Sequence, residues 1–205
     1  MNTNPVNPVQ NIGLSAFDYD ALGHRVRKID AVAGQTTLYY NDPEWRVLAE
    51  YNGSGTLQRT FVWGNYIDEA LRMRAGGSDY YYLHDHLYSP AVLIGFESGQ
   101  WRPVERYEYD AYGTARVINR GPDNAWFTAD DVVTGSSAIN TTLFTGRTLD
   151  ALDSANLKIM YYRNRFADTF TGRFLQQDPI CISSITNNFI ISIGLLSEDL
   201  EPLTE

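Results

Sequence analysis

Acidic and amide side chains crowd residues 119–143, NRGPDNAWFTADDVVTGSSAINTTL. Asp123, Asn124, Asp130 and Asp131 supply hard oxygen ligands, and such ligands on a flexible loop suit Ca²⁺. Their spacing differs from that of an EF-hand loop, and acidic runs are more commonly solvated surface loops. We therefore favour an acidic loop insertion, with Asp123, Asp130 and Asp131 as the candidate calcium ligands.

Two histidines, His84 and His86, flank Asp85. On a strand both rings would lie on one face, where they could bind a metal ion. Two ligands alone make a weak site, so we expect structural histidines. Calcium is then the one cofactor that the sequence suggests, and the favoured expectation is none.

Aromatic residues make up 13% of the chain and offer a different kind of site. Exposed Trp and Tyr side chains often lie on surfaces that hold carbohydrate or a partner protein. Trp63 and Trp101 are the candidates for such binding. An Arg cluster near the C-terminal end, consisting of Arg147, Arg163, Arg165 and Arg173, lies among Tyr and Phe residues and is expected to pack and form ion pairs.

Charge and hydropathy exclude other classes of protein. The net charge of -9 argues against nucleic-acid binding, which requires a basic surface. No apolar run approaches the length of a membrane span, and residues 1–17 show no secretory signal. Cys181 is the one cysteine, so no internal disulfide can form. Cysteine content therefore does not indicate whether the protein works in an oxidising or a reducing compartment.

The elements that must position these residues are strands. Alternation with period two runs through residues 57–63, where Phe61 and Trp63 share one face and Val62 lies on the other. The same alternation places Glu105, Tyr107 and Tyr109 together, opposite Arg106 and Glu108. Tight turns separate the strands, and we predict an antiparallel hairpin meander over residues 16–118.

The turns repeat. Tyr19-Asp20-Ala21-Leu22-Gly23 recurs as Tyr109-Asp110-Ala111-Tyr112-Gly113, and a degenerate copy begins at Tyr40. In each unit the Asp or Asn side chain bonds the turn backbone, and Gly supplies the positive φ that the turn needs. Repetition at about twenty residues indicates a two-stranded structural repeat.

These motifs resemble the Rhs/YD-repeat family, in particular its C-terminal RHS core domain, over residues 16–180. The carriers are YDALGHRV, LHDHLYSPAVL, YEYDAYG, FTGRTLD, YYRNRF and GRFLQQDPI, in the order that the family has them. The resemblance implies an all-β fold in which YD-repeat hairpins form part of a hollow Rhs-type β-shell. In the family the core segment carries an aspartyl self-cleaving site and releases a C-terminal toxin into the shell.

Two departures from the family pattern matter. Tyr88 and Pro90 replace Gly and Val, so we expect an edge strand or a local bend there. After Ile180 the family continues with Gly-Leu and a second DPxGL motif, whereas this sequence continues with Cys181 and lacks that motif. Asp178 resembles one self-cleavage carboxylate, and its partner would come from the missing sequence. We therefore expect a C-terminally truncated core with no catalysis.

The domain organisation follows from these patterns. Residues 1–15 are expected to be irregular, residues 16–180 to form the β domain with the 119–143 insertion, and residues 181–205 to be an unrelated, disordered tail. The favoured function is a non-catalytic fragment of a shell protein, whose partners in the family are the rest of the shell or a toxin. The alternatives are a carbohydrate- or protein-binding β module at a cell surface and a self-cleaving polymorphic-toxin component. The family suggests a bacterial exported context.

Overall fold

The protein is all-β and contains two antiparallel sheets, as the computed structural model shows for residues 15–137 and 139–177. An eleven-stranded sheet comes first in the chain and a four-stranded sheet follows. Neighbours in the sequence are neighbours in each sheet, so the predicted antiparallel meander is confirmed. The predicted N-terminal segment and tail lie largely outside the described residues.

The large sheet runs without crossover from its first strand to its last. Its strands are β1 (Ser15–Tyr19), β2 (Arg25–Asp30), β3 (Gln35–Asn41), β4 (Val47–Asn52), β5 (Leu57–Trp63), β6 (Ala70–Ala75), β7 (Ser78–His84), β8 (Pro90–Glu97), β9 (Gln100–Tyr109), β10 (Ala115–Asn119) and β11 (Val132–Thr134). The segment predicted as a loop insertion thus contributes the end of β10 and all of β11 to this sheet.

Two kinds of turn recur between the strands of the large sheet. The β6–β7 and β8–β9 hairpins have two-residue loops, Gly76-Gly77 and Ser98-Gly99, in which every residue has a positive φ. Such loops match the twist of the strands that they join. The second kind is longer and carries the repeat.

Five turns share one hydrogen-bond pattern, although their sequences differ. In each, an Asp or Asn Oδ1 accepts hydrogen bonds from the backbone N–H groups two and four residues later. The residue three positions later has a positive φ in every case. The turn-forming residues are Asp20, Asp42, Asn52, Asp85 and Asp110. Alternate hairpins of a meander turn at the same end, so all of these except the Asn52 turn lie at one end of the sheet.

The small sheet follows a single 3₁₀ turn, Phe144–Gly146, and consists of β12 (Thr148–Leu152), β13 (Leu157–Tyr161), β14 (Phe166–Asp168) and β15 (Arg173–Phe174). It packs on one face of the large sheet. Phe61, Met73, Tyr82, Leu93 and Tyr107 from β5 to β9 form one buried cluster with residues of β12 and β13. A second cluster joins Phe17 of β1 to Leu152, Ile159 and Phe166.

Core packing fixes which face of each strand is covered. Met73, Leu93 and Met160 are fully buried, and each contributes about 1.5–3 kcal/mol by leaving water. On β5, Phe61 is buried and Val62 is 44% exposed, as the alternation predicts. The covered face of the large sheet and the inner face of the small sheet therefore form a seam in which polar residues must find partners.

No helix in residues 15–137 and 139–177 is long and apolar enough to cross a membrane, because the one helical element there is the three-residue 3₁₀ turn.

Candidate functional site

The seam between the sheets is held by a buried carboxylate, Asp150 of β12. Its side chain is inaccessible to solvent and accepts hydrogen bonds from Arg25 Nη1 at 2.5 Å and Lys28 Nζ at 3.0 Å. Burial alone would raise the pKa of Asp150, but the two cations hold it below its ordinary value. Asp150 therefore stays ionised and links two cations of β2 to the small sheet.

Aromatic rings enclose the Arg25 side chain of this cluster. The guanidinium lies 4.0 Å from the ring centroid of Tyr161 and 4.5 Å from that of Tyr39, and its Nη2 donates to the Tyr39 hydroxyl at 3.2 Å. Burial works to lower the pKa of Arg25, yet Asp150 and the tyrosines raise it above the ordinary value. Because Arg25 and Asp150 both stay charged near neutral pH, they exchange no proton and are not an acid–base pair. The role that their contacts support is to hold the two sheets together.

A cavity of about 50 Å³ lies further along the same seam. Its charged lining includes Asp68, Arg147 and Arg163. Asp68 is 4% exposed, and its Oδ1 accepts from Arg163 Nη2 at 2.5 Å and lies 3.1 Å from Arg147 Nη1. Burial and the neighbouring Arg163 lower the pKa of Arg147, which Asp68 partly offsets. Apolar side chains such as Phe61 and Trp63 line the rest of this cavity.

Another buried carboxyl, Glu105 of β9, has neutral hydrogen-bond partners. Ser137 Oγ lies 2.6 Å and 2.8 Å from its two oxygens, and the Tyr107 hydroxyl donates to it at 2.5 Å. Tyr107 in turn accepts from Asn140 Nδ2 at 3.3 Å. Burial raises the pKa of Glu105. Within the described residues no second carboxylate hydrogen-bonds to Glu105, so the arrangement lacks the paired acids of carboxylate-catalysed hydrolysis.

A polar groove opens where the β2–β3 and β4–β5 turns lie side by side. It has a volume of about 580 Å³ and is lined by hydroxyl and amide groups, among them Thr36, Asn52, Ser54 and Gln58. This volume lies within the range of small-molecule sites, but most such sites are mainly apolar. The ion-paired Glu50 and Arg59 also line the groove, which offers hydrogen bonds to a polar ligand and little apolar contact.

The two tryptophans predicted for binding lie on opposite faces of the large sheet. Trp63 packs against the core, and its Nε1 donates to the Val47 carbonyl at 2.8 Å. Trp101 is 52% exposed and contacts Tyr81 and Phe96, with ring centroids 5.2 and 5.3 Å away. The structure therefore does not bring Trp63 and Trp101 into one site, and Trp101 alone can meet a large ligand.

The acidic loop uses its predicted calcium ligands in hydrogen bonds of its own. Thr128 Oγ1 donates to Asp130 Oδ1 at 2.7 Å, Asp130 Oδ2 accepts from the Asp123 N–H at 3.1 Å, and Asp131 Oδ2 accepts from the Phe127 N–H at 2.9 Å. Across the described part of the chain no group of three or more His, Cys, Asp or Glu residues is arranged to hold a metal ion. Calcium binding at Asp123, Asp130 and Asp131 stays a prediction.

The remaining predicted residues have separate positions. β7 ends at His84, so His86 lies in the following turn and the two histidines do not share a strand face. The His84 ring stacks on Tyr82 at 5.8 Å, and burial lowers its pKa. In the Arg cluster, Arg147 lies over the Tyr162 ring and Arg165 over the Phe174 ring, which agrees with packing. Asp178 lies outside the described residues.

Sequence reasoning missed the buried acids of the seam. Asp150 and Asp68 occur in short segments, TLDAL and YIDEA, that match no catalytic or binding motif. One signal was available: a lone Asp within the apolar alternation of residues 148–152 is expected to be paired if its face is buried.

No family model matches the chain, and no curated protein matches it.

Proposed function

We propose that this chain is a non-catalytic section of a β-sheet scaffold, the wall of an Rhs-type shell whose family encloses and presents a C-terminal toxin. The proposal rests on the resemblance of its motifs to the YD-repeat family and on one structural observation. That observation is the fivefold recurrence of a single turn geometry in an uninterrupted meander.

The recurrent turn supports a scaffold because it is a device for extending a sheet. Each turn reverses the chain with the same four hydrogen bonds, two to the side-chain oxygen and two between backbone groups, and most copies lie at one end of the sheet. A sheet built in this way grows by adding hairpins, with each hairpin contacting only its neighbours. Enzymes instead collect reactive side chains from several elements at one pocket.

The polar groups of the seam favour a structural role as well. Asp150, Asp68 and Glu105 are each occupied by cations or hydroxyl groups. The contacts of Asp150 and Asp68 fasten the small sheet and the residues beside its strands to the large sheet, so that the small sheet lines one face of the wall. In this proposal the partners of the chain are further hairpins of the same shell or the polypeptide that the shell encloses.

Two measurements test the scaffold proposal together. The first is to sequence the genomic DNA on both sides of this coding region and translate every frame. We expect upstream hairpin repeats that carry the Asp turn, and downstream a frame that continues with Gly-Leu and a second DPxGL motif. The second is the intact mass of the purified full chain, with Asp178→Asn as the matched control. We expect both proteins to keep full length.

The outcomes separate the hypotheses clearly. Flanking DNA without any repeat-encoding frame would refute the shell assignment. A fragment boundary near residue 178 in the wild-type chain, lost in Asp178→Asn, would instead support the self-cleaving alternative and refute the absence of catalysis.

The exposed indole of Trp101 favours a second candidate function, carbohydrate binding. Its neighbours Tyr81 and Phe96 are 41% and 56% exposed, so the three rings form an uncovered aromatic patch on the outer face. The rings are inclined to Trp101 by 77° and 60°, so one ring at a time can stack on a pyranose. A glycan-array signal lost in Trp101→Ala, but kept when the exposed Phe170 is changed to Ala, would support it. The absence of any signal would reject it.

A further inference from the structure

The five turns that share one hydrogen-bond pattern differ at their first residue. Four of them begin with an aspartate, whereas the turn between β4 and β5 begins with Asn52. Asn52 is followed by Gly53, and this Asn-Gly step occurs once in the sequence. An asparagine side chain loses its amide nitrogen when the next backbone nitrogen attacks it, and glycine leaves that nitrogen the least hindered. Asn52 is therefore the asparagine of this chain that is most open to such a change.

Three donors surround the side-chain oxygen of Asn52. Its Oδ1 accepts hydrogen bonds from the Ser54 hydroxyl at 2.7 Å, the Thr56 N–H at 2.8 Å and the Ser54 N–H at 3.1 Å. When a nucleophile attacks Cγ, negative charge develops on this oxygen. Donors that are already in place around an oxygen that becomes charged stabilise the transition state, as they do in an oxyanion hole.

The attacking atom would be the nitrogen of Gly53. The hydrogen bond from the Ser54 N–H to Oδ1 closes a loop of atoms that contains both Asn52 Cγ and Gly53 N, so the side chain is folded towards that nitrogen. The two backbone hydrogen bonds of this turn do not involve the Gly53 N–H. Gly53 is exposed, so water or hydroxide can take its proton.

Close packing keeps glycine at this position. A Cβ added at Gly53 would lie 3.0 Å from Thr36 Cβ on β3, which is closer than side-chain atoms ordinarily approach. A larger residue would shield the backbone nitrogen from reaction, but it does not fit here unless β3 shifts. The approach of this turn to β3 therefore keeps the reactive Asn-Gly step in place.

We propose that Asn52 is a deamidation site in the folded protein and that its main product is aspartate. The Gly53 nitrogen gives its proton to water or hydroxide and attacks Asn52 Cγ. The bond from Cγ to Nδ2 then breaks, and the amide nitrogen takes a proton from water and leaves as ammonia. The five-membered imide takes up one water molecule, which opens the ring at one of its C–N bonds. The net change replaces the side-chain NH₂ by OH and needs only water.

The turn fits the aspartate product. The equivalent position is held with the same hydrogen bonds by Asp20, Asp42, Asp85 and Asp110. Opening the imide at its other carbonyl gives isoaspartate, which adds an atom to the backbone between β4 and β5 and so disturbs the turn. Flexible peptides yield mainly isoaspartate, whereas this turn favours aspartate because its hydrogen bonds re-form only with that product. The proposal does not depend on the scaffold function.

Deamidation would also change the charge of the polar groove. Asn52 lines this groove together with the ion-paired Glu50 and Arg59, whose Nη1 donates to Glu50 Oε2 at 2.8 Å. These two are the charged residues of the lining, and their charges cancel. A carboxylate at position 52 therefore turns a neutral groove into a negative one.

The test follows the full-length protein during incubation at physiological temperature and pH. Peptide mapping by mass spectrometry, with fragmentation by electron transfer, locates each deamidated residue and distinguishes aspartate from isoaspartate. We expect Asn52 to be converted before the exposed Asn65, Asn124 and Asn156, and to yield a smaller share of isoaspartate than the same protein incubated in urea. Asn52 that is still intact in the native protein when the urea sample has been converted would overturn the proposal. An equal share of isoaspartate in both samples would overturn it as well.

Two variants test the role of the turn. Ser54→Ala removes the 2.7 Å donor to Oδ1 and leaves the Asn-Gly step unchanged. Loss of one hydrogen bond to an oxygen that becomes charged should slow the conversion of the native protein by about tenfold. The matched control is Ser78→Ala, an exposed serine at the start of β7, which should leave the rate at its wild-type value. An unchanged or faster rate in Ser54→Ala would refute the contribution of the turn.

The fit of the product has its own measurement. Asn52→Asp should unfold at the same urea concentration as the wild-type protein or at a higher one, because a charged oxygen accepts the same hydrogen bonds more strongly. A lower urea midpoint would show that the turn rejects the product. If Ser54→Ala does not fold, the comparison of native and urea samples of the wild-type protein decides the question.

Discussion

Replacing Asp150 by Asn probes the fastening of the two sheets most directly. Asn keeps the shape of the side chain but removes the charge, so Arg25 and Lys28 lose their shared counterion. The Arg25 side chain is 3% exposed and that of Lys28 is 15% exposed, so water cannot replace the lost carboxylate. Removing one partner from a buried ion pair costs about 3–5 kcal/mol. In a chain of this length that loss lowers the midpoint of thermal unfolding by roughly 6–20 °C.

The matched control is Asp18→Asn. Asp18 pairs with Arg27 in the same sheet, but both side chains are about half exposed, 47% and 48%. Exposed pairs of this kind contribute about 0–1 kcal/mol. Urea unfolding of wild type and both variants at pH 7 gives the three free energies of unfolding. If Asp150→Asn loses less than about 1 kcal/mol, or no more than Asp18→Asn, the seam is not held by this carboxylate.

The pH dependence gives the same prediction an independent check. The pKa of Asp150 is lower in the folded protein than in the unfolded chain. The charge of Asp150 therefore contributes fully to the free energy of unfolding above the unfolded pKa of about 3.9, and this contribution disappears as pH falls through the folded pKa. The difference between wild type and Asp150→Asn should therefore be largest at neutral pH and shrink in acid. A difference that does not change down to pH 2 would contradict the assignment of the charge.

Two further predictions concern the turns and the buried Glu105. Gly113→Ala should lower the free energy of unfolding by about 2–4 kcal/mol, because φ is +90° and the new Cβ would lie 2.3 Å from Phe144 Cδ1. The control Gly55→Ala, with φ +80° and no described atom within 4 Å, should lower it by only about 1–2 kcal/mol. Equal urea midpoints of the two variants would disprove the contact with Phe144. Glu105→Gln should remove a pH-dependent contribution to the free energy of unfolding. Because the pKa of Glu105 is raised in the folded protein, this contribution is complete below about pH 4.3 and is lost as pH rises through the folded pKa. Parallel profiles of unfolding free energy against pH for wild type and variant would refute the burial of that carboxyl.

Much of the large sheet could be predicted from local patterns. Period-two alternation places Glu105 and Tyr107 on the covered face and Glu108 outside, as the structure shows. The turns at Asp20 and Asp110 can be predicted from the sequence, because Gly lies three residues later, at the position that needs a positive φ. The same turn at Asp85 was harder to find, because Tyr88 holds that position with a φ of 61°.

Pro90 illustrates a local signal whose consequence depends on the neighbours. It predicted an edge strand or a bend, because proline has no N–H for the ladder. β8 is an internal strand, and Pro90 is its first residue, at the point where its pairing with β7 shifts register. The proline is tolerated there because the ladder is already irregular.

The seam could not be predicted in the same way. Asp150 meets Arg25 across a separation of 125 residues, and nothing in the residues around either one encodes that distance. Glu50 is a similar case: the sequence places it on a strand, but its 4% exposure and its pairing with Arg59, which bonds the Ile139 carbonyl, depend on a distant part of the chain. Faces of strands are local properties, whereas the layer that covers a face is set by the rest of the chain.

The contrast between the two kinds of contact has a consequence for the order of folding. Every strand pair of the large sheet joins neighbours in the sequence, so its hairpins can form one after another as the chain leaves the ribosome, with short loops to close. The Arg25–Asp150 contact cannot form until β12 has been synthesised. During that interval Arg25 and Lys28 are solvated on an uncovered sheet face, and this charge hinders pairing with another chain until the small sheet arrives.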